Sequence, residues 1–149
     1  MSTFSQIYIQ IVFGVKNREK LMSPSWKYDL YKYITGIVQN KGHKMIAING
    51  MDDHIHFLIG FNPTNSISDL VREIKKSSND FIRENKFVRT KFSWQEGYGV
   101  FSYGQSQLES VIKYINNQET HHKKRSFEEE LKLFLEKYKI EYKNEFIKI

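Results

Sequence analysis

The apolar residues of this chain change their spacing several times, and this change constrains the fold more than any other feature. Ile7, Ile9 and Ile11 alternate within residues 6–15, a spacing typical of a strand. Three further strands are predicted, at residues 44–49, 54–61 and within 91–103. Elsewhere the apolar residues recur at helical spacing. The order βαββαβ, followed by a further helix and a C-terminal tail helix, predicts an α+β ferredoxin-like sandwich with an antiparallel sheet.

Serine residues mark the predicted starts of the helices. Ser23 is followed by Pro24, which favours the first position of a helix. Three other serines are followed three residues later by an acidic residue, as in a capping box: Ser66, Ser106 and Ser126. The helix that begins at Ser106 is predicted to extend to about residues 118–123.

Length and composition predict one soluble domain, residues 1–149, with residues 126–149 as a helical tail. The chain contains no cysteine, which excludes disulfides and thiolate metal sites. We find neither a signal-peptide pattern nor an apolar run long enough for a membrane span, so a cytoplasmic protein is expected. The net charge of +6 and the pI near 9.4 are compatible with binding nucleic acid.

Two histidines occupy alternate positions of the predicted third strand. His54 and His56 therefore lie on one face of the sheet, roughly 6.5–7 Å apart at their backbones, and can converge on one ion. The alternative is a pair of hydrogen-bonded or hydrated histidines at a strand end, and this pair alone favours that alternative. Asp52 and Asp53 add oxygen atoms nearby, but both also suit a turn.

The third predicted helix contains a second group of polar residues. Tyr114 and Gln118 are four residues apart and share one helical face, which His121 and His122 continue. These residues would also be explained by a core tyrosine with a hydrogen-bonded hydroxyl, an exposed glutamine and a basic helix end.

Together these motifs resemble the single-tyrosine HUH transposases of the smallest bacterial insertion sequences and their relatives associated with repetitive extragenic palindromes. The segment INGMDDHIHFLIG resembles the family's hairpin with the His-hydrophobic-His pair. The segment FSWQEGYGVFSYGQSQLESVIKYINNQETHH resembles its Trp-x-x-Gly-aromatic segment and its nucleophile helix. QIYIQIVFGVKNREKLM and DLVREIKKSSNDFI resemble its first strand and middle helix, so the resemblance covers most of the chain.

The resemblance implies a role for each residue at the site. Tyr114 would be the nucleophile, and His54, His56 and Gln118 would bind a divalent metal, Mg²⁺ or Mn²⁺. The family cleaves and rejoins single-stranded DNA beside hairpins through a 5′-phosphotyrosine intermediate. The resemblance also implies a homodimer, in which the tyrosine helix can reach the partner's histidines. It further implies that the protein associates with the nucleoid when bound to DNA.

Basic residues that could contact DNA phosphates occur in three segments. They are Lys16 and Arg18 after the first strand, Arg72, Lys75, Lys76 and Arg83 in the middle helix, and Arg89 and Lys91 in the loop that follows. Each of these residues could equally belong to a solvated surface. Phe87, Phe92 and Trp94 could stack on bases, but packing beneath the fourth strand suits Trp94 better.

Two other functions are compatible with the sequence. A relaxase-like or replication-initiator-like nickase would use the same ion and tyrosine chemistry. A catalytically silent relative would bind nucleic acid on the same fold, but the intact set of His54, His56, Tyr114 and Gln118 argues against loss of activity.

Overall fold

The computed structural model describes residues 3–118 and 125–143. Its four strands are β1 (Tyr8–Gly14), β2 (Lys44–Gly50), β3 (His54–Gly60) and β4 (Gly99–Tyr103). Its helices are α1 (Lys27–Asn40), α2 (Ile67–Glu84), α3 (Leu108–Asn116) and α4 (Phe127–Lys137). The strands form one antiparallel sheet in the order β2-β3-β1-β4. The predicted ferredoxin-like βαββαβ fold is confirmed.

One face of the sheet forms the larger hydrophobic core with α1 and α2. Ile55, Phe57 and Ile59 of β3 are fully buried there, as their alternation predicts. They pack in one cluster with apolar residues of both helices, including Leu30 and Ile74. Burial of this face therefore fixes the register of β3 and turns its other residues toward the opposite side.

The opposite face of the sheet is also covered. Leu58 of β3 packs with Val111 and Ile115 of α3, and Phe134 of α4 packs at the edge of this second cluster. The sheet is thus enclosed between two helical layers. His54 and His56 share this face with Leu58, so both imidazoles are held inside the protein rather than in solvent.

The predicted helix starts are confirmed at two sites and wrong at two. The side chains of Ser66 and Ser126 accept hydrogen bonds from the backbone N–H groups three residues on, as N-caps do. The first helix begins at Lys27 instead of Pro24, because buried Trp26 keeps a non-helical backbone and stacks on Phe87.

The third helix also begins later than its sequence predicts. The Gln107 side chain accepts a hydrogen bond from the backbone N–H of Gly104, and α3 starts at Leu108 instead of after Ser106. It ends at Asn116, before the predicted end at residues 118–123. His121 and His122 lie outside the described residues. None of the described helices is long and apolar enough to cross a membrane.

The loop before β4 is fixed by contacts with α2. Trp94 pairs with Val15 as an isolated bridge, and its indole N–H donates to Ser78 Oγ at 2.9 Å. Lys75 Nζ donates to the backbone carbonyls of Gln95 and Gly97. Trp94 is therefore packed in the core, as its alternative explanation predicts.

Candidate active site

The two histidines predicted as metal ligands lie side by side on β3. His54 and His56 are 0% and 2% exposed, and their ring centroids are 5.1 Å apart at an interplanar angle of 81°. Strand alternation places them on one face, and α3 and α4 cover that face. The pair is thus removed from bulk water and opposes residues from both helices.

Each ring nitrogen of His54 faces a polar side chain. Asp53 Oδ1 lies 2.7 Å from Nδ1, and Gln118 Oε1 lies 3.3 Å from Nε2. A carboxylate on Nδ1 favours a proton there and leaves the Nε2 lone pair for a ligand. Gln118 thus brings an amide oxygen to the nitrogen that would bind an ion.

His56 is held by a buried polar chain that starts on β4. Tyr103 donates from its hydroxyl to Gln10 Oε1 at 2.7 Å, and Gln10 Nε2 lies 2.8 Å from His56 Nδ1. Gln10 is 1% exposed, so this series of hydrogen bonds is buried on the face of the sheet. In this arrangement Nδ1 accepts, which places the ring proton on Nε2.

Tyr114 reaches this cluster from α3. Val111 and Ile115 anchor that helix on the sheet, and Asn49 Nδ2 donates to the carbonyl of Asn116 at its end. The half-buried Tyr114 ring lies edge-on to His56, with centroids 5.6 Å apart. Burial raises the pKa of the Tyr114 phenol above its ordinary value, and the hydrogen-bonded carboxylate of Glu130 raises it further. The phenol is therefore protonated at neutral pH.

Helix α4 supplies three contacts that the sequence analysis did not find. The Phe127 ring stacks on His54 at a centroid distance of 3.9 Å, and the Arg18 guanidinium lies 4.1 Å from the Phe127 ring centroid. Glu130 is buried against Gln118. The available signal was an acidic residue on the apolar face of α4, between Phe127 and Phe134.

The residues at this cluster fit a divalent cation. No group of three His, Cys, Asp or Glu residues suited to a metal occurs within residues 3–118 and 125–143. The third donor beside the histidine pair is the amide oxygen of Gln118. Two imidazoles and one amide oxygen form a neutral, incomplete set, which leaves positions for water or phosphate oxygens. The hydrogen bond between Asp53 and His54 resembles the outer contact of a metal-bound histidine, whereas His56 would need a proton on Nδ1, and therefore a turned Gln10 amide, to bind an ion through Nε2.

The residues predicted to contact DNA fall into exposed and half-buried groups. Six are exposed: Lys16, Arg72, Lys76, Arg83, Arg89 and Lys91. Lys91 borders two surface depressions, one shared with Lys16 and the other with Arg83 and Arg89. We call these four residues the basic strip.

The other two predicted contacts take part in internal interactions. Arg18 is half-buried beneath Phe127, and burial lowers the pKa of its guanidinium. Burial likewise lowers the pKa of the Lys75 ammonium, which binds loop carbonyls. Phe92 and Trp94 are buried in the larger core, so neither presents a free face to a base.

Comparison with known proteins identifies the family and agrees with this fold. The profile of the IS200-like transposase family matches residues 3–118. The chain therefore belongs to the IS200-like transposase family. Over 118 residues it is 22% identical to ISDra2 transposase TnpA of Deinococcus radiodurans. The alignment covers 76% of this chain and 84% of that protein.

Two solved structures share the fold. A crystal structure described as a transposase from Deinococcus radiodurans R1 aligns with a TM-score of 0.65 and 20% identity, covering 79% of this chain and 95% of that one. The structure of a REP-associated tyrosine transposase bound to a REP hairpin aligns with a TM-score of 0.61 and 16% identity, covering 82% and 74%.

Proposed function

We propose that this protein cleaves and rejoins single-stranded DNA at hairpin-bearing ends of a mobile element, with Tyr114 as the nucleophile. The observation that carries the proposal is the meeting of Tyr114 and Gln118 with His54 and His56. Family membership supports a transposase, and the hairpin bound by the REP-associated relative supports this class of DNA.

The reaction is a pair of transesterifications. The Tyr114 oxygen attacks the scissile phosphorus, the bond to the 3′-oxygen breaks, and the phenol proton ends on the released 3′-hydroxyl. The product is a 5′-phosphotyrosine. A 3′-hydroxyl then attacks that ester, joins the strands and restores the phenol. Each step exchanges one phosphodiester bond for another, so no nucleoside triphosphate is needed.

His54, His56 and Gln118 would hold Mg²⁺ or Mn²⁺, which would neutralise the phosphate charge and stabilise the leaving oxygen. The protein's own residues would do the rest. Asp53 and Gln10 would orient the two imidazoles, and α3 would hold the phenol beside them.

The proximity of Tyr114 to His56 of its own chain supports a site formed within one subunit. The homodimer implied by the family resemblance stays a prediction, and this geometry does not require one. Because the proposed substrate is DNA, we also propose that the protein associates with the nucleoid when it is bound to DNA.

The test is incubation of the purified chain with Mn²⁺ and a labelled single strand that carries a hairpin. We expect a covalent protein–DNA adduct that Tyr114→Phe abolishes. Tyr28→Phe is the matched control, because Tyr28 is 52% exposed on α1.

Three other outcomes would contradict the proposal. A shift of the strand in a gel with no adduct indicates a binding protein. An adduct that is never rejoined to a second strand indicates a nickase. An adduct that persists in Tyr114→Phe assigns another nucleophile.

A further inference from the structure

Helix α4 buries an ionisable side chain in a position where an apolar residue is expected. Glu130 is 5% exposed and lies on the same helical face as Phe127 and Phe134. A buried carboxylate is costly unless hydrogen bonds or opposite charges compensate for the lost water. Its place on this face therefore needs a specific partner.

The Tyr114 phenol is one such partner, and Gln118 is a second. The Gln118 amide nitrogen lies 3.5 Å from Glu130 Oε1 and donates to the Tyr114 backbone carbonyl at 3.2 Å. The amide oxygen lies 3.3 Å from His54 Nε2. One end of the amide thus contacts acceptors, while the other contacts the histidine pair.

An amide side chain has nearly the same shape in its two orientations, so hydrogen-bond partners decide which atom faces the histidines. An ionised carboxylate can only accept hydrogen bonds, whereas an amide offers both an NH₂ group and an oxygen. In its ionised form Glu130 can therefore pair only with the nitrogen of Gln118. That pairing turns the oxygen toward His54, which is the orientation that a cation requires.

We propose that Glu130 is a positioning residue that fixes the Gln118 amide with its oxygen toward His54 and thereby sets the affinity of the site for a divalent cation. The inference rests on the proposed function, because it takes Gln118 as a ligand. Glu130 acts through Gln118.

The inference predicts graded losses of Mn²⁺ affinity. Removal of a hydrogen-bond partner behind a metal ligand typically weakens binding 10- to 100-fold. Because the Tyr114 carbonyl still holds the amide, we expect about a 10-fold loss for Glu130→Ala, the low end of that range. Glu130→Gln can present either an oxygen or an NH₂ group to Gln118 and no longer imposes one orientation, so a smaller loss than in Glu130→Ala, about threefold, is expected. Glu129→Ala, at the neighbouring exposed position, should leave the affinity unchanged.

The full chain is titrated with Mn²⁺ in the absence of DNA. Electron paramagnetic resonance measures the concentration of free Mn²⁺ at each point, which gives the affinity. Thermal unfolding checks that each variant is folded. Gln118→Ala is combined with Glu130→Ala as a double-mutant cycle. If Glu130 acts through Gln118, its substitution should cause no further loss once Gln118 is alanine. Should Glu130→Ala fail to fold, the same cycle is run with Glu130→Gln.

Each remaining outcome separates this inference from the proposed function. An unchanged affinity in folded Glu130→Ala, or an equal loss with and without Gln118, overturns the inference alone, provided that His54→Ala abolishes binding. If the wild-type chain binds no Mn²⁺, or His54→Ala binds it as tightly as wild type, the proposed metal site is wrong and the inference is overturned with it.

Discussion

The phenol ring of Tyr114 stands almost perpendicular to the imidazole of His56, at an interplanar angle of 86°. The two residues are 58 positions apart in the sequence, on α3 and β3. Packing of Val111 and Ile115 against Leu58 holds the two elements together. The candidate nucleophile and a candidate metal ligand therefore meet within one subunit, through contacts of the second hydrophobic cluster.

The Gln10 side chain is expected to control how well His56 binds a cation. The Gln10 amide presents its nitrogen to His56 Nδ1 and its oxygen to Tyr103. Coordination through Nε2 requires a proton on Nδ1, so the amide must then turn and present its oxygen to His56. We predict that Gln10→Leu weakens Mn²⁺ binding about 10-fold, as measured by isothermal titration. Gln6→Leu, an exposed control on the same segment, should have no effect. Equal affinities for Gln10→Leu and wild type would refute a role for this chain of hydrogen bonds.

The buried serine of α2 is expected to stabilise the loop before β4. Ser78 Oγ accepts from the Trp94 indole and donates to the Ile74 carbonyl. Ser78→Ala would leave a buried N–H group without its acceptor, at a cost of about 1–3 kcal/mol. Denaturant unfolding measures this loss. Ser77→Ala, the neighbouring control, removes only a half-buried hydrogen bond to Glu73 and should change the free energy of unfolding by less than about 0.5 kcal/mol.

Burial raises the pKa of the Tyr103 phenol, and neighbouring Tyr138 adds to the rise. The folded state thus holds this proton more tightly than the unfolded state, whose tyrosine pKa is about 10. The associated stability is fully present below about pH 10 and is lost as the pH rises above that value. Between pH 9 and 11, the free energy of unfolding should fall by about 1 kcal/mol more for wild type than for Tyr103→Phe, after allowance for solvent screening. Equal falls in the two proteins would contradict this assignment.

The basic strip is predicted to contact DNA phosphates. Each lost contact to a single strand should reduce the slope of log affinity against log salt by about 0.7. We therefore expect a smaller slope, with little change in sequence preference, for Arg89→Ala and for Lys91→Ala in fluorescence anisotropy titrations. Lys41→Ala, at an exposed lysine directly after α1, is the control. An unaltered slope in both strip variants would exclude the strip from the DNA path.

The sequence predicted the order of the elements and four residues that the structure brings together, but not the contacts behind them. The roles of these four residues stay predictions. Alternation and helical spacing are local, so they placed His54 and His56 on one face and put Tyr114 and Gln118 on one helix. The contacts of Gln10 and Glu130 depend on how separate secondary-structure elements pack together. Gln10 comes near His56 only through the pairing of β1 with β3, in which Val12 lies opposite His56.

Helix boundaries differed from their predictions for a similar reason. Pro24 suits a helix start, but the burial of Trp26 against Phe87 delays α1 by three positions. At α3, a long-reaching Gln107 side chain caps the preceding turn, which the Ser106 pattern does not reveal. Tertiary packing and a non-standard cap determined these ends.

The most direct test of the central claim is identification of the residue that becomes linked to DNA. The adduct formed with Mn²⁺ and a hairpin-bearing strand is digested with protease and nuclease, and the modified peptide is sequenced by mass spectrometry. We predict a nucleotide attached through its 5′-phosphate to Tyr114, and no such adduct in His54→Ala. Linkage to Tyr103 or to any other residue, or a 3′-phosphate linkage, would contradict the account.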